Sequence, residues 1–182
     1  MSQSRRAILT ILIIFFLSSS LLPGVFGEYP GYKSYENDII SSNNAITSAE
    51  NNIRDGKIND ALTDLGTIPK VLLNVNEMWY RDYYTQQIKD ITSEYSESNS
   101  TLITELDNAR NLSLTEMIAS LDRLLLRKED MAKLDAFEVK ITNLKNNISA
   151  SYYEYGIISR IQGDYNRLSS FIERLKIGRA HV

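Results

Sequence analysis

The stretch EMWYRDYY, residues 77–84, gathers the side chains of this sequence best suited to chemistry. Glu77 and Asp82 are carboxylates flanking aromatic rings, and paired acids across a cleft are the machinery of glycoside hydrolysis. Aromatic faces stack on sugars and cations. Other mechanisms lack their parts. There is no cysteine and a single histidine, His181, near the end of the chain. Ser-His-Asp and Cys-His nucleophile systems cannot be assembled without a usable histidine. Zinc sites normally need His or Cys ligands, glycine-rich phosphate loops are missing, and DGKIND at 55–60 lacks the calcium-loop pattern. No catalytic residue, metal or cofactor is expected. The rings recur at helical spacing, which points to core or helix–helix contact before catalysis. Where they reach the surface, Trp79, Tyr80, Tyr83, Tyr84, Tyr152 and Tyr153 are the candidates to line one binding groove.

The chain's two ends bear on where those rings act. Arg5 and Arg6 precede an apolar run from Ala7 to Leu17, then three serines, Pro23-Gly24 and Gly27. This is the order of a secretory signal, 1–27, with cleavage after Gly27. The run is short for a bilayer core of about 30 Å. An uncleaved signal acting as an anchor is the alternative. At the other end IGRAHV, 177–182, reads back as ATC GGA AGA GCA CAC GTC, which resembles a sequencing-library adapter in frame. The adapter's leading bases AG limit the preceding residue to Lys, Glu or Gln, and Lys176 fits as AAG. Residues 177–182 are thus expected to be read-through, with a helical domain over 36–176 truncated there and His181 doing no chemistry. Without Arg5, Arg6 and Arg179 the mature part carries about −6. No basic stripe invites nucleic acid. An exported chain without cysteine holds together by packing alone.

The elements that must position the rings read as helices. Only three prolines and eight glycines occur in 182 residues, which favours an all-α chain over a turn-rich sandwich. After a linker at 28–35, Ile39, Ile46 and Ile53 recur every seven residues. Gly56 suits a helix C-terminus, and Ile58, Ala61, Leu62 and Leu65 give the face of a second helix. Pro69 opens a long third helix with Leu72, Val75, Trp79 and Tyr83 as one ridge, continued by Tyr84, Ile88, Ile91 and Tyr95. SESNST, 96–101, interrupts it. Ser113 and Glu116 form a capping-box pattern before Met117, Ile118, Leu121, Leu124 and Leu125. Leu134, Phe137, Ile141, Leu144 and Ile148 alternate steps of three and four, the seam of a coiled coil or antiparallel helix pair. The stripe then shifts through Ile158, Ile161, Tyr165, Leu168, Ile172 and Leu175. Gly163 is expected to break this last run into a hairpin, with Asp164 capping the next helix.

YYEYGIISRIQGDYNRLSSFIERL resembles a tetratricopeptide repeat through Tyr152, Gly156, Gly163 and Tyr165. AITSAENNIRDGKINDALTDL resembles the same pattern through Ala49, Gly56, Ile58, Ala61 and Leu65. The resemblance implies stacked helical hairpins and peptide or protein binding. A long-helix bundle with glycine turns is the plain alternative. Three sequons, Asn99, Asn111 and Asn147, are candidate glycosylation sites, Asn99 foremost because it falls in a loop.

The expected function is that of an extracytoplasmic helical interaction or scaffold module, the N-terminal fragment of a surface or envelope protein, with a protein or peptide partner. Membrane association through an uncleaved signal or a missing C-terminal segment stays open, as does the oligomeric state. An extracytoplasmic sensor that holds a ligand between helices is the alternative, and a carboxylate-dependent hydrolase the third.

Overall fold

The computed structural model describes residues 35–98, 100–132, 134 and 136–180. The signal segment, most of the linker, Asn99 and His181 lie outside the described residues. The described chain is all-α, with no strand among its residues. Its helices are α1 (Glu36–Arg54), α2 (Ile58–Gly66), α3 (Lys70–Asn74), α4 (Glu77–Glu94), α5 (Ser100–Asn108), α6 (Leu114–Leu125), α7 (Lys128–Met131) and α8 (Phe137–Ala180), with a 3-10 turn at Ala109–Asn111.

α1 buries Ser42, Ala45, Ile46 and Ala49, one helical stripe of mostly small side chains. Small residues let a helix approach its neighbours closely, and α1 packs against both α2 and α8. It ends as its sequence suggests. Gly56 takes φ 76°, the Gly56 N–H donates to the Ile53 carbonyl at 3.1 Å and the Lys57 N–H to that of Asn52 at 2.8 Å. This is the Schellman arrangement, with glycine supplying the left-handed residue. The Asn52 side chain donates to Asp64 at 2.8 Å, tying the hairpin's two helices together.

The long third helix is two helices. Val75 (ψ 135°) and Asn76 (φ −135°, ψ 163°) are extended between α3 and α4. That interruption resets the helical phase, so the inward ridge of α4 is Tyr80, Tyr84, Ile88 and Thr92, displaced from the Trp79–Tyr83 ridge read from the sequence. The SESNST interruption is present, since α4 ends at Glu94 and α5 starts at Ser100. The capping box is present as well. The Ser113 hydroxyl accepts from the Glu116 N–H, and Glu116 accepts from the Ser113 N–H at 2.9 Å.

α8 is one helix of 44 residues, about 66 Å long at 1.5 Å per residue. The break expected at Gly163 does not occur. A single glycine in a helix interior costs only about 1 kcal/mol against alanine, which the packing on both sides of it outweighs. Phe137, Ile141, Leu144, Ile148, Ser151, Glu154, Ile158, Ile161, Leu168 and Ile172 are its buried positions. α4 runs antiparallel to it: Tyr95 stacks edge-on with Phe137, Tyr84 bonds Asn147 and Tyr80 bonds Glu154. α1 runs parallel to its second half, from Tyr35 beside Glu154 to Glu50 beside Arg167.

Candidate functional site

The six aromatic candidates divide between interior and surface. Tyr80 and Tyr84 are 3% and 1% exposed and belong to the core, so the structure removes them from the expected groove. Tyr83 is half-buried, its ring edge-on to Tyr84 at 5.0 Å. Trp79, Tyr152 and Tyr153 are exposed, at 47%, 42% and 60%. Tyr152 and Tyr153 touch each other edge-on at 6.0 Å. The phase reset at Val75–Asn76 explains the division, because it turns Tyr80 inward and Trp79 outward.

The carboxylates of the same stretch do not face one another across a cleft. Glu77 accepts the Leu114 N–H at 3.1 Å and so satisfies one of the unpaired donors at the start of α6. Asp82 is exposed. α4 also serves the connection before α6: Arg81 donates to the Leu112 and Asn111 carbonyls, and Thr85 to that of Arg110. Of the sequons, Asn111 is exposed at the 3-10 turn, while Asn147 is half-buried in the middle of α8.

The tyrosines that turn inward meet a polar layer in α8. The Tyr80 hydroxyl donates to Glu154 at 2.8 Å, and its ring lies 6.1 Å from that of Tyr155. The Tyr84 hydroxyl donates to the Asn147 carbonyl at 2.8 Å and sits 2.7 Å from the Ser151 hydroxyl. With its own proton committed to Asn147, it accepts from Ser151. Glu154 is 3% exposed. Burial pushes its carboxyl above the usual 4.5, the Tyr80 hydroxyl and Tyr35 backbone N–H pull the other way, and Glu36 adds a like charge. Tyr35 is itself raised by burial, then by Glu154 and Asp38. Glu154 escaped notice in the sequence. Its signal was there, in Ser151 and Glu154 occupying stripe positions where the apolar pattern shifts.

A second feature lies at the far end of α1. Glu50, Ile53, Arg54, Arg167, Leu168, Phe171 and Arg174 line an open cleft of about 380 Å³. It exists because α1 stops at Arg54 while α8 continues, which leaves Phe171 40% exposed. Arg167 bridges the walls, bonding Glu50 at 2.8 Å and Asp164 at 2.9 Å. Arg167 and Arg174 lie seven residues apart and so share one face of α8.

Among the described residues no cluster of three or more His, Cys, Asp or Glu side chains is arranged to hold a metal ion. No helix among them is long and apolar enough to cross a membrane. No family model, curated protein or solved structure matches the chain.

Proposed function

We propose that this chain is an exported helical module that binds a protein or peptide partner on its surface. The observation that carries the reading is the set of exposed rings. Trp79, Tyr152 and Tyr153 stand on α4 and α8, whose inward faces are already complete without them. Aromatic residues are enriched at the centres of protein interfaces because they bury large area at low conformational cost. The Gly56 hairpin, with its tetratricopeptide-like spacing, supports a scaffold role, and the Arg5-Arg6 and apolar leader supports an extracytoplasmic one. Carboxylate catalysis is disfavoured, since Glu77 is occupied at the start of α6.

A photoreactive phenylalanine derivative placed at position 79 or 153, and at exposed Glu97 as the control, tests this in the organism of origin. One defined protein adduct is expected from 79 and from 153 and none from 97. In a chain probed at 153, Trp79→Ala should abolish the adduct while circular dichroism stays helical. Equal labelling from all three positions, or none from any, removes the interaction reading.

A further inference from the structure

We propose that the cleft at the end of α1 docks an acidic peptide segment. One bulky apolar side chain of that segment rests against Phe171 and Leu168, and its carboxylates meet Arg54 and Arg174. The proposal rests on the reading of the chain as an interaction module and names a second contact surface with its chemistry.

The occupant follows from how the cleft is built. Its floor is apolar, made by Ile53, Leu168 and Phe171. Leu168 is buried, but Phe171 presents 40% of its surface to water at a place where α1 no longer covers α8. A volume of about 380 Å³ is at the small end of ligand sites and fits one or two side chains better than an extended small molecule.

The rim then selects the charge. Arg167 is committed to Glu50 and Asp164, so it fixes the wall and is neutralised there. The guanidinium groups of Arg54 and Arg174 have no hydrogen-bond or ion-pair partner among the described residues. With Arg167 spent, Arg54 and Arg174 are the cleft arginines left to meet a ligand's charge, in a chain whose net charge is −3. Guanidinium groups without an ion pair on an acidic protein are points at which a partner's carboxylates are drawn in. Guanidinium is the cation best matched to carboxylate geometry.

The surroundings favour a peptide over an anionic membrane. Lipid headgroups attract an unbroken basic face. Here exposed Asp55 and Glu173 interrupt the basic residues, so discrete carboxylates at set distances from an apolar anchor fit better than a charged plane. Nucleic acid would leave the apolar floor unused.

The test is fluorescence anisotropy on the full chain at low salt. The probe is a fluorescein-labelled peptide with a Leu-Phe pair flanked on each side by three acidic residues. Saturable binding is expected, with none by the counterpart carrying lysines for the acids. The double variant Arg54→Glu, Arg174→Glu changes only exposed side chains and should bind about tenfold more weakly or worse. Phe171→Ala should weaken binding with the helical circular dichroism retained. Failure to saturate, or indifference to the charge reversal, overturns the proposal. So does sedimentation with phosphatidylglycerol vesicles that the peptide does not compete away, which would make this a membrane-facing surface. Crosslinking from positions 79 and 153 reports on the exposed rings independently, so this cleft can fail while the interaction reading stands.

Discussion

The Tyr80 hydroxyl, in the first turn of α4, donates to the buried Glu154 carboxylate in the middle of α8 at 2.8 Å, across 74 positions of sequence. With the Tyr35 N–H on the same carboxyl, three elements meet at one titratable group. Buried polar groups of this kind fix which surfaces may pack together, because any other register leaves them unpaired.

Glu154 makes stability depend on pH with a definite sign. Its folded pKa lies above the ordinary 4.5, so the unfolded chain releases this proton first. Its contribution is complete below the unfolded value and is lost as pH rises through the folded one. Glu154→Gln keeps an acceptor for Tyr80 and cannot ionise. Urea unfolding should find the variant more stable than wild type at pH 7 to 8, with the gap closing towards pH 4. Tyr80→Phe should cost about 1–3 kcal/mol at any of these pH values, the usual range for a buried partner left unsatisfied. A variant gap that widens on acidification contradicts the assignment.

Two glycines should respond oppositely to alanine. Gly163 is helical, and a Cβ there meets nothing within 4 Å. Gly163→Ala should stabilise by about 0.5–1 kcal/mol. Gly56 has equally open space but φ 76°, so Gly56→Ala should destabilise by about 1 kcal/mol through backbone strain alone. Paired thermal melts decide this, and a loss at Gly163 would reveal a bend that the helix does not show.

Gln162 holds the short α3 in place. Its amide nitrogen donates to the Leu72 and Val75 carbonyls at 2.9 and 2.8 Å, acceptors that the end of α3 leaves without helical donors. Gln162→Leu should cost about 1–3 kcal/mol and speed amide hydrogen exchange over residues 70–80 before it does so elsewhere. Unchanged exchange there would show the clamp to be dispensable.

Ser42 is the converse case. Its hydroxyl is buried without a hydrogen-bond partner among the described residues. Ser42→Ala should leave stability unchanged or raise it by about 1 kcal/mol, since an unsatisfied polar group is removed with little change in volume. A marked loss would indicate a bound water at that site.

Local signals in the sequence reported local structure faithfully. Gly56 marked the end of α1, Ser113 with Glu116 marked the start of α6, and Phe137, Ile141, Leu144 and Ile148 marked the inward seam of α8. The failures involve choices that only tertiary contacts make. Leu72, Val75 and Trp79 keep helical spacing across a point where the backbone is extended, and nothing local announces that Gln162, 87 residues beyond Val75, will hold the carbonyls there. The resulting phase error exchanged Trp79 for Tyr80 as the inward ring. At Gly163 the local signal favoured a turn, and the flanking apolar positions on both sides overrode it. Glu154 occupies a stripe position, but its partners come from α4 and the residue before α1, which no local pattern announces. The arginine-rimmed cleft was equally hidden, since it depends on where α1 stops beside α8.

The uninterrupted course of α8 has a mechanical consequence. Its first half carries α6 through Lys145 and Asp122, and its second half carries α1 through Arg167 and Glu50. With no break at Gly156 or Gly163, the arginine end and the Phe137 end belong to one continuous rod, so a displacement imposed at one end has no turn in between to absorb it. Whatever seats beside Phe171 therefore acts on a lever whose opposite arm lies some 50 Å away.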